Sequence, residues 1–187
     1  MGRLPEFFGD SVISCGLAEH NVYSTVHKVH KQERDWTCGI ASLVTLLSGK
    51  TAVDYTEECI LHNCDIRMGP LCSRILIEVL QKMEIPVEYR YGAEHSVDDK
   101  PISFIVKLMK DYDIALETCL NGGHWIVLLS YTALGHPEKD IITFYDPYYD
   151  TVRTMSAEEI ISMWIPTMDG LLCHDYIAIR KKEHKNV

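Results

Sequence analysis

The order of hydrophobic periods along the chain constrains its fold more than any other feature of the sequence. Up to about residue 112 the apolar residues recur mainly at helical spacing, whereas most later apolar segments are short and rich in β-branched residues. Helices that come first and strands that come later indicate an α+β fold, with an N-terminal helical layer packed on a C-terminal antiparallel sheet. The predicted helices span residues 38–47, 53–62, 71–83, 102–112 and 156–164, and the predicted strands span 21–26, 87–91, 114–119, 124–131, 141–145, 151–155 and 171–180.

Length and apolar content place most of the chain in one domain. With 187 residues, of which 47% are hydrophobic, it can bury a core without disulfides or a structural metal. No repeat, linker or low-complexity segment divides it. We therefore predict a lead-in segment at residues 1–27, a single domain at 28–180 and a basic tail at 181–187.

Charge and cysteine usage exclude several classes of partner and location. A net charge of −9 argues against a nucleic-acid partner, because such partners require clustered lysine and arginine. The seven cysteines are odd in number and irregular in spacing, and the N-terminus does not have the pattern of a signal peptide. No apolar stretch approaches the roughly 18–20 residues that span a bilayer. We expect a cytoplasmic protein without a membrane partner, and its oligomeric state stays open.

Four residues between positions 59 and 72 have side chains that zinc prefers. Their spacing does not follow the paired C-x-x-C pattern of structural zinc sites, and part of the segment is predicted as helix. The sequence therefore predicts no metal and no cofactor at these residues, which are Cys59, His62, Cys64 and Cys72.

Cys38 occupies a position at which a thiol can become a nucleophile. It opens the predicted helix 38–47, with Thr37 or Asp35 available as a capping residue. The unpaired N–H groups of a helix N-terminus favour the thiolate, which is the reactive form. A nearby imidazole can then take the proton, and a carboxylate behind the ring fixes its orientation. His124 and Asp146 are the candidates for these two roles.

His124 and Asp146 stand at the ends of two apolar segments that we expect to pair. Residues 124–131 and 141–145 are separated by a short loop that contains glycine and proline, as is typical of neighbouring antiparallel strands. In such a pair the start of the first strand lies across from the end of the second. The two side chains should therefore lie within a residue or two of being opposite. Four aromatic residues nearby are candidates either for a substrate groove or for the core, namely Trp36, Trp125, Tyr148 and Tyr149.

Four motifs occur in a defined order along the chain. They are Gln32 six positions before the cysteine, Cys38-Gly39-Ile40-Ala41, Gly123-His124-Trp125-Ile126-Val127 and Tyr145-Asp146-Pro147. This order resembles the papain-like cysteine peptidases that cut bacteriocin leaders after double glycines. It is also similar to the eukaryotic proteins of the same fold group that are labelled guanylyl cyclase domain-containing. The resemblance spans roughly residues 28–180.

The resemblance implies a papain-like fold and a role for each of four residues. Cys38 would be the nucleophile, His124 the base, Asp146 the orienting residue and Gln32 the oxyanion-hole donor. An amide N–H beside the thiolate, together with the backbone N–H of Cys38, could stabilise the charge of a tetrahedral intermediate. The chain departs from the guanylyl cyclase-labelled proteins at Thr37, where they usually have an acidic residue, and it lacks their long insertion before the histidine strand.

The residues leave three functions open. The favoured one is acyl transfer, most commonly hydrolysis of a peptide or protein through an acyl-enzyme. Nucleotide cyclisation is suggested only by the family label, and the sequence contains no glycine-rich phosphate loop. The third possibility is a non-catalytic interaction module on the same scaffold, because a fold does not dictate a function.

Overall fold

The computed structural model of the chain describes residues 21–69, 71–92, 101–120, 123–136, 139–164 and 175–182. Three predictions lie partly outside these ranges: the lead-in up to residue 20, the start of the last strand at 171–174, and the basic tail from residue 183. Within the described ranges, no helix combines the length and the apolar character that crossing a bilayer requires.

An antiparallel sheet of seven strands forms the centre of the structure. The strands are β1 Val22–Tyr23, β2 Tyr89–Tyr91, β3 Tyr112–Thr118, β4 His124–Thr132, β5 Ile141–Asp146, β6 Thr151–Ser156 and β7 Tyr176–Arg180. Their order is β2-β7-β3-β4-β5-β6, and β1 pairs with the second half of β4. Every pairing is antiparallel, which confirms the predicted α+β class.

Helices cover both faces of this sheet. In the described ranges they are α1 Cys38–Leu47, α2 Glu57–Cys64, α3 Ser73–Lys82, α4 Pro101–Asp111 and α5 Ala157–Met163. The predicted helical layer corresponds to α1–α3, which pack on the face that includes Trp125 and Val127. The helices α4 and α5 pack on the opposite face, which includes Ile126 and Leu128. Because β4 is apolar on both sides, both faces must be covered.

The helix starts follow the capping side chains. Ser156 accepts the N–H of Glu159 at 3.2 Å, and the Glu159 carboxylate accepts the N–H of Ser156 at 2.9 Å, so the predicted cap of the last helix is confirmed. The predicted start of the second helix at residue 53 is wrong. Thr56 accepts the N–H of Cys59 at 3.2 Å, and this cap begins α2 four residues later.

A buried ion pair attaches the segment before α1 to the sheet. Asp113 of β3 accepts the N–H and the hydroxyl of Thr25 at 2.8 and 2.6 Å, and it binds the ammonium group of Lys50. Burial alone would raise the pKa of Asp113, but Lys50 and Thr25 hold it below its usual range. The carboxylate is therefore charged, and it fixes the course of the chain that leads towards Cys38.

Candidate active site

Cys38 is the first residue of α1, and a tight turn leads into it. Thr37 holds the N-cap position, but both its hydroxyl and its N–H donate to the carbonyl of Arg34, at 3.0 and 3.1 Å. The prediction that Thr37 or Asp35 caps this helix is therefore wrong, because the threonine hydroxyl closes the turn instead. The side chain of Thr37 accepts none of the first N–H groups of α1. These groups therefore remain available to favour a negative charge beside the half-buried thiol.

Gly39 lets the start of α1 approach the sheet closely. A Cβ atom at this position would lie 3.1 Å from Cβ of Leu71 and 3.2 Å from Cδ1 of Trp125. Trp125 is held in place, because it is buried and its Nε1 donates to the carbonyl of Leu71 at 2.6 Å. A glycine next to Cys38 thus brings the thiol against β4.

His124 and Asp146 meet as the sequence predicts. The register pairs Val127 with Tyr145, so Asp146 lies two positions from being directly opposite His124. Nε2 of the ring lies 2.8 Å from Oδ1 of the carboxylate, and the two side chains are 4% and 1% exposed. The expected antiparallel pairing and the expected contact are both confirmed.

The Asp146 carboxylate is surrounded by donors. In addition to the ring of His124, it accepts the backbone N–H groups of Tyr148 at 3.1 Å and Tyr149 at 3.4 Å, and Arg153 lies 3.4 Å from its other oxygen. Burial alone would raise the pKa of Asp146, but the bonds from His124 and from the two N–H groups lower it below its usual value. Asp146 is therefore ionised at neutral pH.

The imidazole of His124 is stabilised in its charged form. Burial works against the charge, but the hydrogen bond to Asp146 and the neighbouring Cys38 sulfur outweigh it and raise the pKa of His124 to about 9. The ring consequently carries its proton at neutral pH, between a carboxylate on one side and a sulfur on the other.

Gln32 lies in the chain just before the turn that precedes α1. It is buried, its N–H donates to the carbonyl of Pro147 at 3.1 Å, and its Nε2 donates to the carbonyl of Arg34 at 2.8 Å. These bonds tie it to the turn that follows Asp146, but its side chain is not part of the cleft lining. Its role as an oxyanion-hole donor stays a prediction.

An open cleft of about 600 Å³ lies over Cys38 and His124. All four candidate aromatic residues line it, and the ring of Tyr148 stands edge-on to that of His124, with the centroids 6.3 Å apart. Glu117 also lines the cleft, although no sequence pattern predicted it as a site residue. Its position depends on a strand pairing that local periodicity does not reveal.

The four residues with zinc-type side chains do not converge. Among the residues that the structure describes, which include Cys59, His62, Cys64 and Cys72, no three such side chains are arranged to hold a metal ion. Cys59 and Cys64 belong to α2, whereas Cys72 is the N-cap residue of α3.

No family model and no curated protein matches the chain. Among solved structures, it resembles the peptidase domain of Streptococcus ComA, a bi-functional ABC transporter involved in a quorum sensing pathway, with a TM-score of 0.58 and 15% identity. That match covers 83% of this chain and 98% of the other. UfSP from C. elegans also matches with a TM-score of 0.58, at 13% identity, over 91% of this chain and 36% of the other.

Identities this low show a shared fold and leave the activity to be proposed. Neither comparison shows a relation to guanylyl cyclase domain-containing proteins. Both matches cover more than four fifths of this chain, whose described part has an antiparallel sheet and a helix that begins at Cys38. This chain has the α+β fold of the papain-like cysteine peptidases.

Proposed function

We propose that this protein is a cysteine-nucleophile hydrolase that acts on peptides or proteins. One observation carries the proposal: Cys38 and His124 share a cleft, and Nε2 of the ring is bound to the buried Asp146 at 2.8 Å. A thiol, an imidazole and an orienting carboxylate are the three groups that nucleophilic acyl transfer requires. The thiol of Cys38 lies beside the ring of His124, and that ring is bound to the carboxylate of Asp146.

In the proposed acylation, the thiolate of Cys38 attacks the carbonyl carbon of the scissile amide, and the electron pair of the C=O bond moves to the oxygen. When this oxyanion collapses, the C–N bond breaks and the imidazolium of His124 gives its proton to the departing amine. Water then attacks the thioester, His124 takes a proton from the water, and the thiolate leaves. The products are a carboxylic acid and an amine, and the protein returns to its starting state.

The oxyanion would form at the N-terminus of α1. The backbone N–H of Cys38 is one donor, and the Nε2 group of Gln32 is the proposed second donor. One hydrogen of that amide is engaged by the carbonyl of Arg34, and the other can reach the oxyanion only when the buried side chain turns towards the cleft, which it does not line here. Asp146 keeps Nε2 of His124 occupied, so that the opposite nitrogen of the ring serves the reaction.

Alkylation by iodoacetamide at pH 6 tests the nucleophile. An ordinary thiol, with a pKa of about 8.5, is almost entirely protonated at this pH, so a thiolate held by an imidazolium should react first. We expect Cys38→Ala to remove most of the labelling. Cys119→Ala is the matched control, because Cys119 is more exposed than Cys38 but has no such partner in the described structure. It should change the labelling little.

Hydrolysis of a fluorogenic peptide library by the same variants tests the reaction. We expect turnover to be lost in Cys38→Ala and in His124→Ala and to be retained in Cys119→Ala. Equal labelling of the wild type and Cys38→Ala at pH 6 would contradict the proposal. In that case the chain would be a papain-like scaffold without a nucleophile.

A further inference from the structure

Two carboxyl groups face each other across the junction of β3 and β7. The N–H of Glu117 donates to the carbonyl of Asp175 at 3.1 Å, one step beyond the register pair Leu116 and Tyr176. The two side chains are therefore cross-strand neighbours on one face of the sheet, and they are in hydrogen-bond contact. Like charges in this arrangement are destabilising, so a proton or a cation must lie between them.

The two acids differ in their hydrogen-bond donors. Asp175 is 3% exposed, and its Oδ2 accepts the N–H of Ser73, the first residue of α3, at 3.1 Å. A helix N-terminus favours a charged carboxylate. No described N–H or hydroxyl group donates to the Glu117 side chain, and burial together with Asp175 raises its pKa to about 8. At neutral pH Glu117 therefore holds a proton.

Glu117 opens into the cleft over Cys38. A Cβ atom on Gly123 would lie 3.6 Å from its Oε1, and none of the described residues that line the cleft is a lysine or an arginine. Within the described ranges, neither Glu117 nor Asp175 forms an ion pair with a basic side chain. Besides Glu117, the titratable residues that line the described part of the cleft are Asp35, Cys38, His124, Tyr148 and Tyr149.

We propose, on the basis of the peptidase function above, that Glu117 with Asp175 behind it receives a lysine or arginine side chain next to the scissile bond. The ammonium or guanidinium group would replace the proton between the two carboxyl groups, and that proton would pass to solvent. The imidazolium of His124 is not the cation that Glu117 binds, because Asp146 already binds its ring. Glu117 is thus a specificity residue and takes no part in the bond changes.

Two affinity labels that differ only in charge test this assignment. Lysine chloromethyl ketone carries the ammonium group, and norleucine chloromethyl ketone has the same carbon chain without it. Each rate of Cys38 alkylation is divided by the rate with iodoacetamide, which has no side chain. We expect the wild type to favour the lysine reagent about tenfold or more, as one charge-assisted hydrogen bond implies.

Glu117→Gln should reduce this preference to near one. The glutamine amide has the same shape and can donate to Asp175, so the pairing of β3 with β7 is kept. Glu158→Gln is the matched control, because Glu158 is an exposed acid on α5, and it should retain the wild-type preference.

The possible results separate the two proposals. A preference near one in the wild type, or one that persists in Glu117→Gln, would overturn the role of Glu117 while leaving the nucleophile intact. If Cys38 reacts with iodoacetamide no faster than Cys119, the peptidase function fails and the basic subsite fails with it.

Discussion

Replacing Asp146 by asparagine tests how the charge of His124 is maintained. The 2.8 Å bond between them is almost completely buried. A hydrogen bond between charged groups contributes about 1.5–3 kcal/mol, and about 1.4 kcal/mol corresponds to one pH unit of pKa. Loss of the carboxylate should therefore lower the pKa of His124 by roughly 1–2 pH units from its value of about 9. The rest of the elevation of the His124 pKa comes from the Cys38 sulfur.

The alkaline limb of the pH profile measures this change. In the proposed acylation the imidazolium is the acid, so kcat/KM should fall as the pH rises through the pKa of the ring. We expect the limb near pH 9 in the wild type, and roughly 1–2 pH units lower in Asp146→Asn. Titration of the His124 ring by NMR gives the same pKa without relying on turnover.

Arg153→Gln is the control for this experiment. Arg153 also contacts Asp146, at 3.4 Å, but its side chain is 41% exposed, so its removal should move the limb little. An unchanged limb and an unchanged NMR titration in Asp146→Asn would refute the reasoning.

Three further substitutions test the fold around the site. The carboxyl group of Glu117 keeps its proton up to about pH 8 in the folded protein but only up to about pH 4.5 in the unfolded chain, so low pH favours the folded state. The free energy of unfolding of the wild type should therefore fall by up to about 1.4 kcal/mol per pH unit between these two pH values. Urea unfolding of Glu117→Gln should show a smaller fall. Asp113→Ala leaves Lys50 buried without its partner and should cost about 3–5 kcal/mol in the same assay; a loss below about 1 kcal/mol would contradict this. Gly39→Ala forces a methyl group towards Trp125 and should cost about 1–3 kcal/mol by thermal unfolding, whereas an unchanged Tm would count against tight packing there.

The elements that carry His124 and Asp146 could be predicted because their signal is local. Both β4 and β5 are apolar, β-branched segments on either side of a short loop, and that pattern alone implies antiparallel neighbours. The start of α2 lies later than the predicted residue 53, which the local pattern did not indicate. Val53 is 58% exposed, and the cap at Thr56 decides where the helix begins.

The pair formed by Glu117 and Asp175 could not be predicted, because it depends on which strand lies beside β3. The last described strand, β7, lies between β2 and β3, and periodicity within a segment contains no information about this neighbour. The same limit applies to the helices, since an amphipathic pattern shows that a helix is buried on one side but not which face of the sheet it covers.

Burial and hydrogen-bond donors together decide which of the acids beside the cleft are charged. Asp146 accepts bonds from His124 and two backbone N–H groups, which hold its pKa below its usual value although burial acts in the opposite direction. Glu117 has no such donor in the described ranges and keeps a proton.

The neutral state of Glu117 bears on Cys38, the proposed nucleophile. In the proposed reaction, a negative charge on Glu117 would repel a thiolate at Cys38, which lines the same cleft. A neutral Glu117 avoids that repulsion in the free protein. When a basic side chain enters and the proton leaves, the net charge beside the sulfur stays the same, so a substrate cation can be bound without disturbing the thiolate.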